Sequence, residues 1–269
     1  MAITTLDGAL AGMQPPVRFG KGLTGVMVAG RPFSPFYLNG TPGAAVAPTP
    51  GIGGAALTSY AGQLPFTNPT GGDSTYISRF IGQCTQPGTL ILADRLWQNS
   101  SITITSTGLQ TFTAAVQIPA RDANGTNAGE GVYMGVEVST VTGAGVPTLT
   151  LGYTNQAGTS SRTGVNTVAT VAASAVGTFY PIGLQAGDTG VRTPNSITLS
   201  ASWTSGTIHV VCYRELARLE LTQGNVSNAI DCLTGGFTNL YDNTVPFLIF
   251  IPSTTTTSNI SGNLVYTQG

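Results

Sequence analysis

The chain has 269 residues with 41 threonines but only 21 formally charged side chains, and it contains one lysine, Lys21, and one histidine, His209. Soluble monomers keep about a quarter of their residues charged; here the share is 8% and the net charge is -1, which leaves no electrostatic footprint for nucleic acid or an anionic membrane. So few charges near neutrality favour association, and the composition points to a protein whose working state is an assembly.

The opening segment, Met1 to Pro16, lacks both a basic region and an uninterrupted apolar run, so no secretory signal is expected there. No apolar run approaches the roughly 20 residues of a membrane helix. From Met1 to about Asp73 the chain is broken by closely spaced Pro and Gly, among them Pro15, Pro16, Pro32, Pro35, Pro42, Gly53 and Gly54. Such spacing leaves little room for helices or long strands. The same zone carries Phe19, Met27, Phe33, Phe36, Tyr37, Leu57, Tyr60, Leu64 and Phe66, which a flexible linker would not. It reads as an extended arm or long loops laid over the body or over a neighbouring subunit.

Residues 74–269 read as a body of short strands between turn signals. Thr89 to Trp97 spaces Leu90, Leu92, Ala93, Leu96 and Trp97 as a short helix would, although so short an apolar run does not separate helix from strand. Ser101 to Thr105 alternates with Ile102 and Ile104 inward, and Leu109 to Ile118 follows as the next strand. Val132 to Val138 places Val132, Met134, Val136 and Val138 on one face, with Tyr133 and Glu137 on the other. Pro147 to Tyr153 aligns Leu149, Leu151 and Tyr153. Ser196 to Trp203 and Thr207 to Tyr213 form a predicted hairpin, with Ile197, Leu199 and Ala201 opposite Ile208, Val210 and Cys212.

Tyr213 to Thr222 holds the densest charge in the chain. Continued as a strand it sets Glu215, Ala217, Leu219 and Leu221 on one face and Arg214, Leu216, Arg218 and Glu220 on the other; a helix also suits its composition. Asn225 to Leu233 is a predicted helix capped by Asn225 and stopped by Gly235-Gly236. Val245 to Ile251 and Ile260 to Tyr266 are the last strands. The fold class is therefore all-β, a sandwich or jelly-roll-like body with one or two short helices and an extended Gly/Pro-rich N-terminal arm. Abundant threonine follows, because β-branched hydroxyl residues suit the outer face of a sheet.

The inventory for chemistry is thin. One histidine, mid-strand, cannot build a multi-histidine metal site, and Cys84, Cys212 and Cys232 lack metal spacing. Those cysteines read as buried free thiols, with a Cys212 to Cys232 disulfide, or one between subunits, as the alternative. Asp122, Asn124, Asn127 and Glu130 resemble a fragment of a calcium loop without its spacing or terminal bidentate carboxylate, so an Asx-rich turn is expected. The adjacent pairs Asp94-Arg95, Arg121-Asp122 and Arg214-Glu215 read as salt bridges in loops or interfaces. Neither catalytic residues nor a cofactor or metal are expected.

The phrases Tyr60-Ala-Gly-Gln-Leu-Pro-Phe66, Asp94-Arg-Leu-Trp97, Ile118-Pro-Ala-Arg-Asp-Ala-Asn-Gly125, Leu151-Gly-Tyr-Thr-Asn155, Ala186-Gly-Asp-Thr-Gly-Val-Arg192 and Tyr241-Asp-Asn-Thr-Val-Pro-Phe247 resemble virion structural proteins of tailed bacteriophages. The resemblance runs along most of the chain and rests on packing and turn signatures. It implies a particle component located in the virion and made in the host cytoplasm. The absence of a segment long enough for a shell protein's spine helix points to a capsid decoration or cement protein on the capsid surface. Its implied partners are the phage major capsid protein and copies of itself, as a homotrimer. The expected contact residues are Phe33, Pro35, Phe36, Tyr37, Tyr60 and Phe66. A tail tube, baseplate or fibre protein is the alternative position. A further alternative is a carbohydrate-binding β-sandwich stacking sugars on Trp97, Trp203 or exposed tyrosines, and another is a hydrolase using Asp122, Glu130 and Glu137.

Overall fold

A computed structural model describes residues 3–112, 117–236 and 238–269. In chain order the elements are α1 (Leu6–Ala11), β1 (Val17–Gly22), β2 (Gly40–Thr41), β3 (Ala55–Ala56), β4 (Thr75–Cys84), β5 (Gly88–Gln98), β6 (Gln110–Thr111), β7 (Val132–Thr140) and β8 (Leu149–Asn155). There follow β9 (Arg162–Asn166), β10 (Phe179–Gly183), β11 (Val191–Leu199), β12 (Thr207–Leu221), β13 (Asn228–Asp231), α2 (Cys232–Gly235), β14 (Asn239–Leu240), β15 (Pro246–Pro252) and β16 (Asn259–Gln268). A single 3-10 turn, Pro35–Tyr37, lies between β1 and β2.

Two curled sheets form a sandwich-like body. The larger runs β15-β5-β12-β7-β10-β9-β8-β11-β6, with β3 added to β5; the smaller runs β13-β4-β16-β1-β2, with β14 added to β4. The long strands β5 and β12 span both halves of the body. Leu96, Trp97 and Cys212 join Met134, Leu151, Tyr153 and Trp203 inside the curl of the larger sheet. Further along, Leu90, Leu92, Leu216 and Leu219 pack against Phe19, Phe80 and Leu264 of the smaller sheet.

The segment β5 is a strand and not a short helix, because it is buried on both faces. Nine neighbouring buried positions without alternation carry no period that separates the two structures. In β7 and β8 the predicted inward residues Val132, Met134, Val136, Val138, Leu149, Leu151 and Tyr153 are all fully buried. The predicted hairpin does not form. β11 pairs with β8 and β6, while β12 pairs with β5 and β7. Trp203 explains the failure: it is buried in the core with its indole N–H donating to Val171 O at 3.2 Å, so the connection must dive inward instead of turning at the surface. Ala201, expected inward, is exposed.

The charged stretch does continue β12, but with one residue extra. A bulge between Glu215 and Ala217 turns Leu216 onto the same core as Leu219 and Leu221, leaving Arg218 and Glu220 outside. The predicted helix from Asn225 does not form, since the middle of the segment is β13, which adds to the open edge of β4. Val226 and Leu233, which would have belonged to the helix's buried face, are exposed. Only α2 remains, capped by Asp231 and ended at Gly236 with φ 75°. Ser101 to Thr105 is a loop whose Ile102 and Ile104 are nonetheless buried, and Ser101 has φ 62°. Of Leu109 to Ile118, only β6 is strand; residues 113–116 lie outside the described residues. All three cysteines are free.

Much of the first 73 residues is laid over the body as long loops. β1 lies within the smaller sheet between β16 and β2, so residues 23–74 form an excursion tethered at both ends to the same sheet.

Candidate functional site

On the outer face of the larger sheet, Ile91, Ala93, Phe179, Tyr213, Phe247 and Ile249 make an apolar floor roofed by the excursion. Phe36 meets Phe247 edge-on with ring centroids 5.9 Å apart and stacks on Tyr60 at the same distance. The Arg95 guanidinium lies over the Phe36 ring at 4.6 Å. Successive residues of a strand point to opposite faces, which is why Arg95 does not pair with its neighbour Asp94. It reaches Glu137 on β7 at 2.7 Å instead, with both side chains fully buried. Arg95 Nε also donates to Gln98 Oε1 at 2.7 Å, and the Tyr37 hydroxyl donates to Glu137 Oε2 at 2.9 Å. Asp94 is bound by Arg121 Nε at 2.9 Å and Nη2 at 3.1 Å, and Arg121 Nη1 donates to Leu57 O of the excursion at 2.7 Å. Two buried ion pairs therefore fasten the excursion to the body.

Of the predicted contact residues, Phe36, Tyr37 and Tyr60 meet on this floor. Phe33 bridges Phe250 and Thr178 and is buried, as is Pro35; Phe66 packs edge-on against Tyr266 on the far side. Phe33, Pro35 and Phe36 are thus consumed inside their own subunit.

His209 is buried beside this seam. Its Nδ1 faces Asn99 O at 2.9 Å, and a carbonyl only accepts, so Nδ1 carries the proton and Nε2 accepts from the Ser139 hydroxyl at 2.7 Å. Burial pushes the ring below its ordinary 6.5, with the Asn99 carbonyl and Glu137 pulling the other way. Burial also pushes Glu137 up, but the Arg95 charge and the hydrogen bonds from Arg95 and Tyr37 together outweigh it and hold the carboxyl below its ordinary 4.5. Both folded-state values are depressed, so the unfolded chain takes up protons first and stability falls with pH. As pH is lowered from 6.5, melting temperature should fall through the His209 range and fall again below 4.5. In calorimetry, His209→Gln should remove the first decline and keep the second.

The Asp122 carboxylate is saturated. It accepts from the backbone N–H of Asn124, Thr126, Gly129 and Glu130 and from the Thr126 hydroxyl, at 2.7 to 3.2 Å. Burial raises its pKa, and these bonds more than reverse that. The calcium-like phrase is thus an Asx-centred loop. Glu130 accepts from the Thr189 hydroxyl at 2.8 Å. Among the described residues no group of three or more His, Cys, Asp or Glu could hold a metal. Trp97 and Trp203 are both fully buried, so neither can stack on a sugar.

No protein-family model and no curated protein matches the chain. Among solved structures, it is similar to the VP2 subviral particle of infectious bursal disease virus at 8% identity, covering 95% of this chain and 80% of that one with a TM-score of 0.20. The Gt strain of the same virus gives 11% identity with the same coverage and TM-score. A likeness at this level carries no argument about topology or function.

The surface itself is unusual in two respects. Lys21, Asp94, Arg95, Arg121, Asp122, Glu137 and Arg214 are all buried, so 14 of the 21 charged residues are exposed or half-buried, and none is a lysine. Lys21 instead donates to the excursion's carbonyls, Leu38 O at 2.7 Å and Gly43 O at 3.2 Å. The second respect is α1, whose Leu6, Leu10 and the following Met13 are 53%, 58% and 42% exposed. The helix is capped by the Thr5 hydroxyl, which accepts from Gly8 N, and it is pressed onto β16 at Gly12, where a Cβ would stand 2.1 Å from Gln268 O. The signal for this stripe was present as Thr5 followed by Leu6, Leu10 and Met13 at helical spacing.

Among the described residues no helix is long and apolar enough to cross a membrane.

Proposed function

We propose that this chain is a non-enzymatic structural protein of a virus particle. It decorates or cements a tailed-phage shell through repeated contacts with its own copies, as a trimer, and with the major capsid protein. The observation that carries this reading is the surface: 14 charged side chains spread over 10668 Å² leave little of the repulsion that keeps monomers apart. The α1 stripe adds an apolar patch where copies meet. Weak contacts repeated by symmetry sum to firm attachment. The phrases that resemble those of tailed-phage virion proteins are what suggest a phage particle. Support for a role without catalysis comes from the engaged state of His209, Asp122, Glu130 and Glu137, each committed to partners within the chain.

Native mass spectrometry and sedimentation velocity test the reading. Wild type should form a discrete oligomer and bind purified shells, while Leu6→Glu with Leu10→Glu should weaken self-association by at least about tenfold and leave the unfolding midpoint unchanged. A wild type that stays monomeric at high concentration and ignores phage shells overturns the proposal.

A further inference from the structure

Beside the buried ion pairs described above, one cation stands out. Arg214 is 6% exposed, yet no carboxylate lies within ion-pair distance of it among the described residues. Asp94 and Asp122 attract it from further off, but Asp94 is already held by Arg121 and the Val245 N–H and Asp122 by the backbone of its own loop. The Arg214 guanidinium has one backbone acceptor, Asn239 O at 3.0 Å, and one aromatic face, Tyr241 at 5.1 Å; its Nε has no partner. Buried charges in folded proteins are paired, and this one borders an open cleft.

The cleft holds about 440 Å³ and is lined by Arg214, Tyr133, Glu215, Thr238, Asn239 and the small residues Gly131 and Ala123. That volume lies within the about 300–1,000 Å³ of small-molecule sites and exceeds what an inorganic anion fills. Tyr133 is 39% exposed; it packs against Tyr213 at 6.1 Å and has ring surface left at the rim. Glu215 in the lining disfavours a bare anion, but a carboxylate accepts hydrogen bonds from hydroxyl groups. The cleft lies where β7 begins, so it is lined both by Arg214 and, from the other face of β12 and β7, by Glu215 and Tyr133; a cation, an aromatic ring and a carboxylate around one cleft fit a ligand with an acid group, an apolar ring face and hydroxyls.

We propose that this cleft binds a sugar carrying a carboxylate, of the hexuronic acid class. Arg214 receives the acid group, Tyr133 stacks on the ring, and Glu215 with the Asn239 side chain takes the hydroxyls. The inference goes beyond the assembly role and does not depend on it.

Saturation-transfer NMR on the full chain, titrated with sodium glucuronate, glucose and acetate, tests it. Glucuronate should bind saturably, with glucose and acetate each at least about tenfold weaker, because either loses one half of the recognition. Tyr133→Ala, at an exposed position that leaves the core intact, and Arg214→Met should each weaken glucuronate binding by about tenfold or more. If Arg214→Met fails to fold, Tyr133→Ala and the ligand series decide. Absence of saturable glucuronate binding, or binding that Tyr133→Ala leaves unchanged, overturns the proposal. Acetate binding as tightly as glucuronate also overturns it, and reassigns the cleft to an acidic side chain of a protein partner.

Discussion

Arg95→Met should lower the free energy of unfolding by about 3–5 kcal/mol, the cost of leaving a buried charge without its partner. Glu137 is fully buried, and its second carboxylate oxygen already lacks a bond, so no solvent can take the place of the guanidinium. The substitution also strands the Gln98 carbonyl and removes the cation from the Phe36 ring. Urea unfolding is the measurement, and the midpoint should drop with little change in slope. The double variant Arg95→Met with Glu137→Leu should recover most of the loss, because apolar replacement of a whole buried pair is often neutral or better. A single variant costing under about 1 kcal/mol would mean that the pair is solvated in solution and fastens nothing.

Phe36→Ala should cost about 3–5 kcal/mol, as expected for an aromatic side chain removed from a packed core. Its consequence for function is the sharper point. If this phenylalanine served a neighbouring subunit, truncation would weaken the oligomer and spare the monomer. Phe36 is instead 2% exposed, under Tyr60 and against Phe247. The loss should therefore appear as a lower unfolding midpoint at every protein concentration, with protease cleavage concentrated in residues 40–66. An oligomerisation defect in an otherwise equally stable protein would refute this placement.

These two expectations show where sequence reasoning stopped. The inward faces of β7 and β8 were legible, because one-sided burial in a strand leaves a period of two. The Asp122 loop was legible as well, since alternating Asp and Asn around a glycine serve backbone capping as readily as metal binding. β5 was not, because burial on both faces erases the period. Leu216 was placed on the wrong face by a single bulged residue, and strict alternation cannot foresee a bulge. The hairpin between β11 and β12 failed for a different reason: turn residues speak only for local geometry, and burial of Trp203 is a demand of the whole core.

Ionic partners were the least legible part of the candidate site. Adjacent opposite charges such as Asp94-Arg95 suggest a local pair, but strand geometry separates them to different partners 42 and 27 residues away. Sequence by itself determined the all-β class, the turn-rich first zone and the scarcity of charge, because composition and short-range period carry those properties directly. The tertiary structure decided that a third of that scarce charge is buried, that the aromatic excursion roofs its own subunit, and that Arg214 alone among the buried arginines borders a cleft with no carboxylate within ion-pair distance. Each of those depends on which distant strands become neighbours, and pairing between remote segments is set by the packing of the whole core.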